Sequence, residues 1–179
     1  MTGLYIIIKY LTFPGAYIRA FNEHIVCRIH KLIVESRGYM RSDEASGHVE
    51  HFLAETKGSA AAIAFVPGII NFVAGLVMLI AGLMPVAAMG MGPSRTPVMF
   101  IAGVVFIYLG FSFLCNVYPL YEDALVLNDM IYGEDGADIV VKVLAFIPCK
   151  ICLIGAKLDR YGVTFLVMAA ITALAFFIL

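Results

Sequence analysis

The sequence predicts an all-α integral membrane protein of about four transmembrane helices, preceded by an N-terminal interfacial or re-entrant helical region. Three features carry that prediction. Of the 179 residues, 62% are hydrophobic and 14% charged, with a mean hydropathy of +0.95; a soluble domain is nearer ~45–50% apolar and could not bury such an excess. The apolar residues fall in long unbroken blocks. The polar remainder gathers at the amino end, where residues 1–58 hold seven of the 12 Lys and Arg residues and all 4 histidines.

Residues 4–34 are apolar but punctuated by Lys9, Arg19, Glu23, Arg28 and Lys31. A helix with that many charges cannot face lipid all round, and suits a segment that buries one side in protein. Pro14-Gly15 predicts a break, with a helix resuming near Ala16. A second short helix is expected over about 42–56, with Ser42 as N-cap, Asp43 and Glu44 in its first turn and Gly58 ending it. A four-helix transmembrane bundle follows over 59–179, with spans at about 59–88, 97–120, 139–157 and 161–179. Residues 59–91, 97–120 and 161–179 carry no charge, and Lys142 and Lys150 interrupt the third span, where their stems can snorkel. Each block approaches or exceeds the ~20 residues that cross ~30 Å of hydrocarbon, and in lipid such a run must be helical to satisfy its own backbone. Gly75, Gly82 and Gly103 let spans approach closely. Pro67, Pro85 and Pro148 mark kinks or ends.

A net charge of −1 without a basic cluster gives no support to a nucleic-acid partner; the bilayer is the expected one. The first eight residues lack a basic n-region, so no cleavable signal is expected. With four spans, the basic N-terminal region shares a side with the loop 121–138 and the C-terminus, and the excess of Lys and Arg places that side in the cytoplasm. The four cysteines, Cys27, Cys115, Cys149 and Cys152, lie mostly in or beside spans, which argues against a disulfide framework. Cys149 and Cys152 match C-x-x-C, but inside a span they read as packing.

Three stretches could carry chemistry. In Asn22-Glu23-His24-Ile25-Val26-Cys27, helical spacing lets one face present Glu23, His24 and Cys27. Imidazole and thiolate are zinc ligands, and a neighbouring carboxylate can act as general base. The plainer alternative pairs Glu23 with Arg19 or Arg28 and leaves Cys27 as a small core residue. In Gly47-His48-Val49-Glu50-His51, two histidines three apart share a helix face and could bind one metal, with Glu44 orienting His48; the alternative is an exposed polar helix near headgroups. In Asn116-Val117-Tyr118-Pro119-Leu120-Tyr121-Glu122-Asp123, two carboxylates emerge at the membrane boundary, where ionisable groups tend to be functional. The alternative there is an aromatic anchor followed by ordinary loop acids.

Taken together, these motifs resemble the site-2 protease class of intramembrane metallopeptidases. Asn116, Pro119 and Asp123 are similar to that family's Asn-x-x-Pro…Asp motif, although Asp123 falls about one residue early and Ala124 replaces the usual glycine. Glu23 stands in the register of the glutamate of His-Glu-x-x-His, with Asn22 and Val26 where the histidines belong. The resemblance implies a zinc-dependent peptidase acting on a membrane peptide near the cytoplasmic boundary. Glu23 would be the base, with His24 and Asp123 joined as ligands by Cys27, His48 or His51, and Asn116, Pro119 and Glu122 in support. The competing expectation is a non-catalytic homo-oligomeric channel or scaffold whose cytoplasmic region binds a partner. Convergence of the ligand atoms within one protomer distinguishes the two.

Overall fold

The computed structural model describes residues 2–36, 38–42, 46–94, 96–133 and 136–179. In chain order its elements are α1 (Thr2–Leu11), α2 (Phe13–Ile29), β1 (Val34–Ser36), β2 (Glu50–His51), α3 (Lys57–Leu83, continued by a π-helical turn Met84–Ala88), α4 (Pro97–Leu114), α5 (Tyr121–Tyr132), α6 (Ile139–Arg160) and α7 (Val163–Ile178). Three of the helices are long and apolar enough to cross a membrane: Lys57–Ala88, Pro97–Leu114 and Ile139–Arg160. The expected fourth span is the apolar α7, whose 16 residues rise about 24 Å, short of a full crossing.

Local chemistry moves several expected boundaries. The break near Pro14-Gly15 falls two residues earlier, at Thr12, because a proline fits the first turn of a helix and Pro14 sits in that turn of α2. The helix expected over 42–56 is absent from the described part of that stretch, which excludes Asp43 and Glu44. Gly47 turns the chain with φ +82°, and Glu50–His51 pairs antiparallel with Val34–Ser36. Gly58 ends nothing. It lies in the first turn of α3, which Thr56 starts by accepting from the Ser59 amide at 3.1 Å while Ser59 Oγ accepts from the Thr56 amide.

Helix α3 is the spine. Its first half packs Ala60, Ile63 and Ala64 against Val26 and Cys27 of α2, Ala124 and Leu127 of α5, and Cys149 and Cys152 of α6. Its second half packs Leu79 and Leu83 against Leu114 of α4 and Met168 and Ala175 of α7. There α3 and α4 touch backbone to backbone: a Cβ on Gly82 would lie 2.6 Å from the Gly103 carbonyl oxygen, so those glycines are what permits the approach.

Between the two apolar layers lies a polar one. Asn71, at the middle of α3, donates to the carbonyls of Gly15 at 3.0 Å and Asn116 at 2.9 Å. Asn116 Nδ2 donates to Thr12 Oγ1 and to the Ser112 carbonyl, while its Oδ1 accepts from the buried Lys9 ammonium at 2.9 Å. Lys9 also meets Asp159 of α6 at 2.9 Å, with side chains 1% and 7% exposed. The two breaks in helical backbone near this level, at 12–15 and 115–120, therefore find side-chain partners. The expectation that residues 4–34 hide one polar side in protein is met: Lys9, Arg19 and Glu23 are all buried.

Removing one member of a buried ion pair strands the other charge, at a cost of about 3–5 kcal/mol, whereas replacing both by apolar groups is far milder. Thermal unfolding in detergent should show Lys9→Met and Asp159→Leu each strongly destabilised and the double variant restored towards wild type. A double variant no better than the singles would show that the pair is not the coupled unit.

Candidate metal site

The site is built from three elements. On α2 the buried positions Ala16, Ala20, Glu23 and Cys27 recur at helical spacing and face the protein interior. Ala16 matters because the turn at Gly47 lies directly on it; a Cβ at Gly47 would sit 3.1 Å from that of Ala16. The turn, held by a 2.9 Å bond from the Gly47 amide to the Tyr39 carbonyl, runs residues 48 and 49 along α2. The Val49 amide donates to Glu23 Oε1 at 2.9 Å, and His48 Nδ1 lies 3.0 Å from Glu23 Oε2. Here the Val49 amide takes a carboxylate partner, which explains why this stretch is not helical.

Glu23 is fully buried yet ionised. Burial pushes its carboxyl up, but His48, the Arg19 guanidinium and the Val49 amide outweigh that and hold it below the ordinary glutamate value. Arg19 itself lies 3.9 Å from Glu23 and donates to the Val117 carbonyl at 2.7 Å. Burial conversely drives His48 below the usual histidine value despite Glu23, and its Nδ1 faces the Glu23 carboxylate, which can only accept. Its Nε2 is buried and meets no hydrogen-bond partner among the described residues.

His51 reaches the site from β2. Its Nδ1 lies 2.8 Å from the Phe52 carbonyl, which can only accept, so Nδ1 carries the proton and Nε2 presents a lone pair in the neutral ring. That Nε2 is 3.6 Å from Asp123 Oδ1 in the first turn of α5. A lone pair facing a carboxylate calls for a proton or a cation between them. Burial, reinforced by Glu23, pushes the Asp123 carboxyl up to about 7.

One ligand atom each from Glu23, His51 and Asp123 lies within 4.8 Å of the other two. Three donors at ~2.1 Å from a tetrahedral ion would be about 3.4 Å apart, so small side-chain shifts suffice for coordination. The hydrogen bond from His51 Nδ1 to a backbone carbonyl is the outer-sphere contact that fixes a ligating imidazole. His51 and Asp123 line a cavity of about 260 Å³, whose wall also holds Glu122, Glu35 and Glu50. Glu50 is engaged by Arg41; Glu122 is exposed and makes no hydrogen bond to the described residues.

Of the residues that the sequence nominates, Glu23, His51 and Asp123 come together, with His48 behind Glu23 and Glu122 beside Asp123. His24 does not join them: it points off the buried stripe, its Nδ1 2.7 Å from the Tyr39 hydroxyl. Cys27 is on the stripe but packs in the apolar core, where burial, then Glu23 and Asp123, push its thiol up to about 12 and keep it protonated. Asn116 serves the polar layer and Pro119 lines a neighbouring apolar hollow. Glu44 lies outside the described residues. Sequence reasoning missed Lys9, Asn71 and Asp159; a lone asparagine in a charge-free run of 33 residues was the available signal for Asn71.

Asp123 is protonated to higher pH in the folded protein than in the unfolded chain, whose aspartates titrate near ~3.9. With a chelator present, its contribution to stability is full below about pH 4 and is lost as pH rises through about 7. Thermal melting across that window should show the loss, and Asp123→Asn should remove it. An unchanged slope in that variant would assign the titration elsewhere.

No family model, curated protein or solved structure matches the chain, so the site stands on its own geometry.

Proposed function

We propose that this chain is a membrane-embedded, zinc-dependent peptidase whose metal is held by Glu23, His51 and Asp123. The observation that carries the reading is the convergence of those three donors, from α2, β2 and α5, with His51 and Asp123 at the wall of a polar cavity and Glu23 buried behind them. One imidazole and two carboxylates are donors that zinc accepts with an open fourth position, and Mn²⁺ is the competitor that the same donors admit. Residues Ala60 and Ile63 place the cavity within two turns of the amino end of α3, near a membrane boundary by the length of that span. We assign that boundary to the cytoplasm on the weight of basic residues in 1–58, with α7 completing a multi-pass bundle.

When bound, the ion lowers the pKa of a water and polarises the carbonyl of a membrane-associated peptide. Glu23, its oxygens occupied by His48 and Val49, is then a ligand in place of the base that the motif suggests. The base falls to Glu122, unpaired in the same cavity. It takes the water proton as oxygen bonds to the carbonyl carbon, and returns it to the amine as the C–N bond breaks, leaving a carboxylate and an amine.

Purified protein should contain about one zinc per chain by metal analysis. His51→Ala and Asp123→Ala should each weaken zinc binding by more than the roughly 10–100-fold that outer-sphere changes cost. Protein without bound metal, and unaffected by these substitutions on zinc addition, would leave the non-catalytic scaffold in its place. Glu122→Gln should retain zinc yet lose hydrolysis of casein in detergent by about 100-fold or more. Full activity in that variant would remove Glu122 from the mechanism.

A further inference from the structure

The two N-terminal helices reverse the arrangement of a water-facing surface. From residue 3 to residue 27 every exposed residue is uncharged, while the charged residues of that stretch, Lys9, Arg19 and Glu23, are all buried. In water the order is the opposite, since charged side chains are the least often buried and large apolar ones the most. On α2 the exposed side chains recur every fourth residue: Phe13, Tyr17, Phe21, Ile25 and Ile29, between 41% and 70% exposed. They form a stripe about 24 Å long that winds gradually round the helix. Phe21 and Ile25 each stand two residues from Glu23, and so face away from it.

Two observations name what covers this stripe. The first is its level. Helix α2 runs antiparallel along α3: the Gly15 carbonyl meets Asn71 at the middle of α3, a Cβ on Gly68 would lie 3.3 Å from Arg19 Nη1, and Val26 and Cys27 share a cluster with Ala60 and Ile63 in the first turns. The stripe therefore lies beside the half of the longest apolar helix that itself exposes Val66 and Ile69. The second is its end. The first exposed charges of the chain are Arg28 and Lys31, flanking His30, where α2 stops beside the start of α3. None of the three meets a carboxylate among the described residues. Cations at the rim of an apolar band suit lipid phosphates, with their stems lying along the band. A protein partner would require neither the match in level nor the basic rim.

We propose that the outer face of α1 and α2 is a lipid-facing surface, with acyl chains covering the stripe from Phe13 to Ile25 and headgroup phosphates beginning at Arg28 and Lys31. The inference is independent of the metal reading. It sets Glu23, five residues back from Arg28, about 7–8 Å along the helix on the hydrocarbon side of the phosphates. Burial of Lys9, Arg19 and Glu23 against protein is what makes that position tolerable, since a charge turned to lipid would be costly.

The chain contains no tryptophan, so a single introduced one reports its surroundings without background. Phe13→Trp, Ile25→Trp and Ile29→Trp place the probe at three depths, on side chains that already point outward. Each is made in the full-length protein, reconstituted in phosphatidylcholine vesicles. The quenchers are lipids brominated near the chain ends, lipids spin-labelled at the headgroup, and aqueous iodide. Chain-end bromines should quench Phe13→Trp about twofold or more better than the headgroup label does, and Ile29→Trp should show the reverse order, as their separation is most of the ~30 Å hydrocarbon thickness. Ile25→Trp should fall between them, and iodide should leave Phe13→Trp and Ile25→Trp unchanged. Iodide quenching at either of those positions overturns the proposal, because it puts the stripe in water. Emission that neither lipid nor iodide quenches overturns it as well, because protein, a second copy included, would then cover the stripe. The order between any two of the three sites decides the matter if one variant fails to fold.

Discussion

Two interruptions of helical backbone meet inside this bundle, and their mutual satisfaction is the constraint on which the rest of the structure depends. Backbone groups at Thr12–Gly15, where α1 gives way to α2 and the Gly15 amide donates to Ser112 Oγ, and carbonyls at 115–120, where α4 gives way to α5, lie at the level of the middle of the longest apolar helix. Backbone there cannot be left unpaired, since no water competes for it and each orphaned group costs several kcal/mol. Asn116 and Ser112 answer the first break, Asn71 and Arg19 the second. Lys9 then ties Asn116 to Asp159 and brings α6 into the same network.

That network fixes the candidate site and meets it through Arg19, 3.9 Å from Glu23. Helix α2 leaves the first break and α5 follows the second, so pinning the breaks to one another sets the two helices in register. Glu23 and Asp123 come opposite one another as a result, about two turns nearer the amino end of α3. The third donor, His51, arrives from a hairpin that α2 itself organises: Ala16 accepts the Gly47 turn and Glu23 captures Val49 and His48. A carboxylate that already holds two donors in place is pre-positioned for a third partner, because its orientation is decided before any ion arrives.

How much of this the sequence discloses depends on how local the cause is. The three long apolar helices are legible because a largely apolar block needs only its own backbone bonds. The polar N-terminal helices are legible as a class, since five charges along 4–34 demand protein on one side. The hairpin is not legible, because the partner that removes Val49 from a helix is Glu23, 26 residues away. Choosing between Glu23 and His24 lay partly within reach. Adjacent helical residues point about 100° apart, so they cannot both face the interior, and the small residues Ala16, Ala20 and Cys27 already mark the buried stripe on which Glu23 falls. His48 and His51 share a face in a helix; in the extended chain they separate, His48 going behind Glu23 and His51 to the cavity.

The same separation explains why the degenerate motif need not mean a lost site. A His-Glu-x-x-His helix supplies two ligands from one element, and here Asn22 and Val26 hold those positions. Coordination then has to be assembled from distant chain segments, which needs the segments themselves to be rigid. The hairpin is short, with two residues in β2, and would be a poor platform alone. Its rigidity comes from α2, through Ala16 packing and the two bonds to Glu23. Glu23 therefore bears on the site twice: as one of three converging donors, and as the anchor of the loop that delivers another.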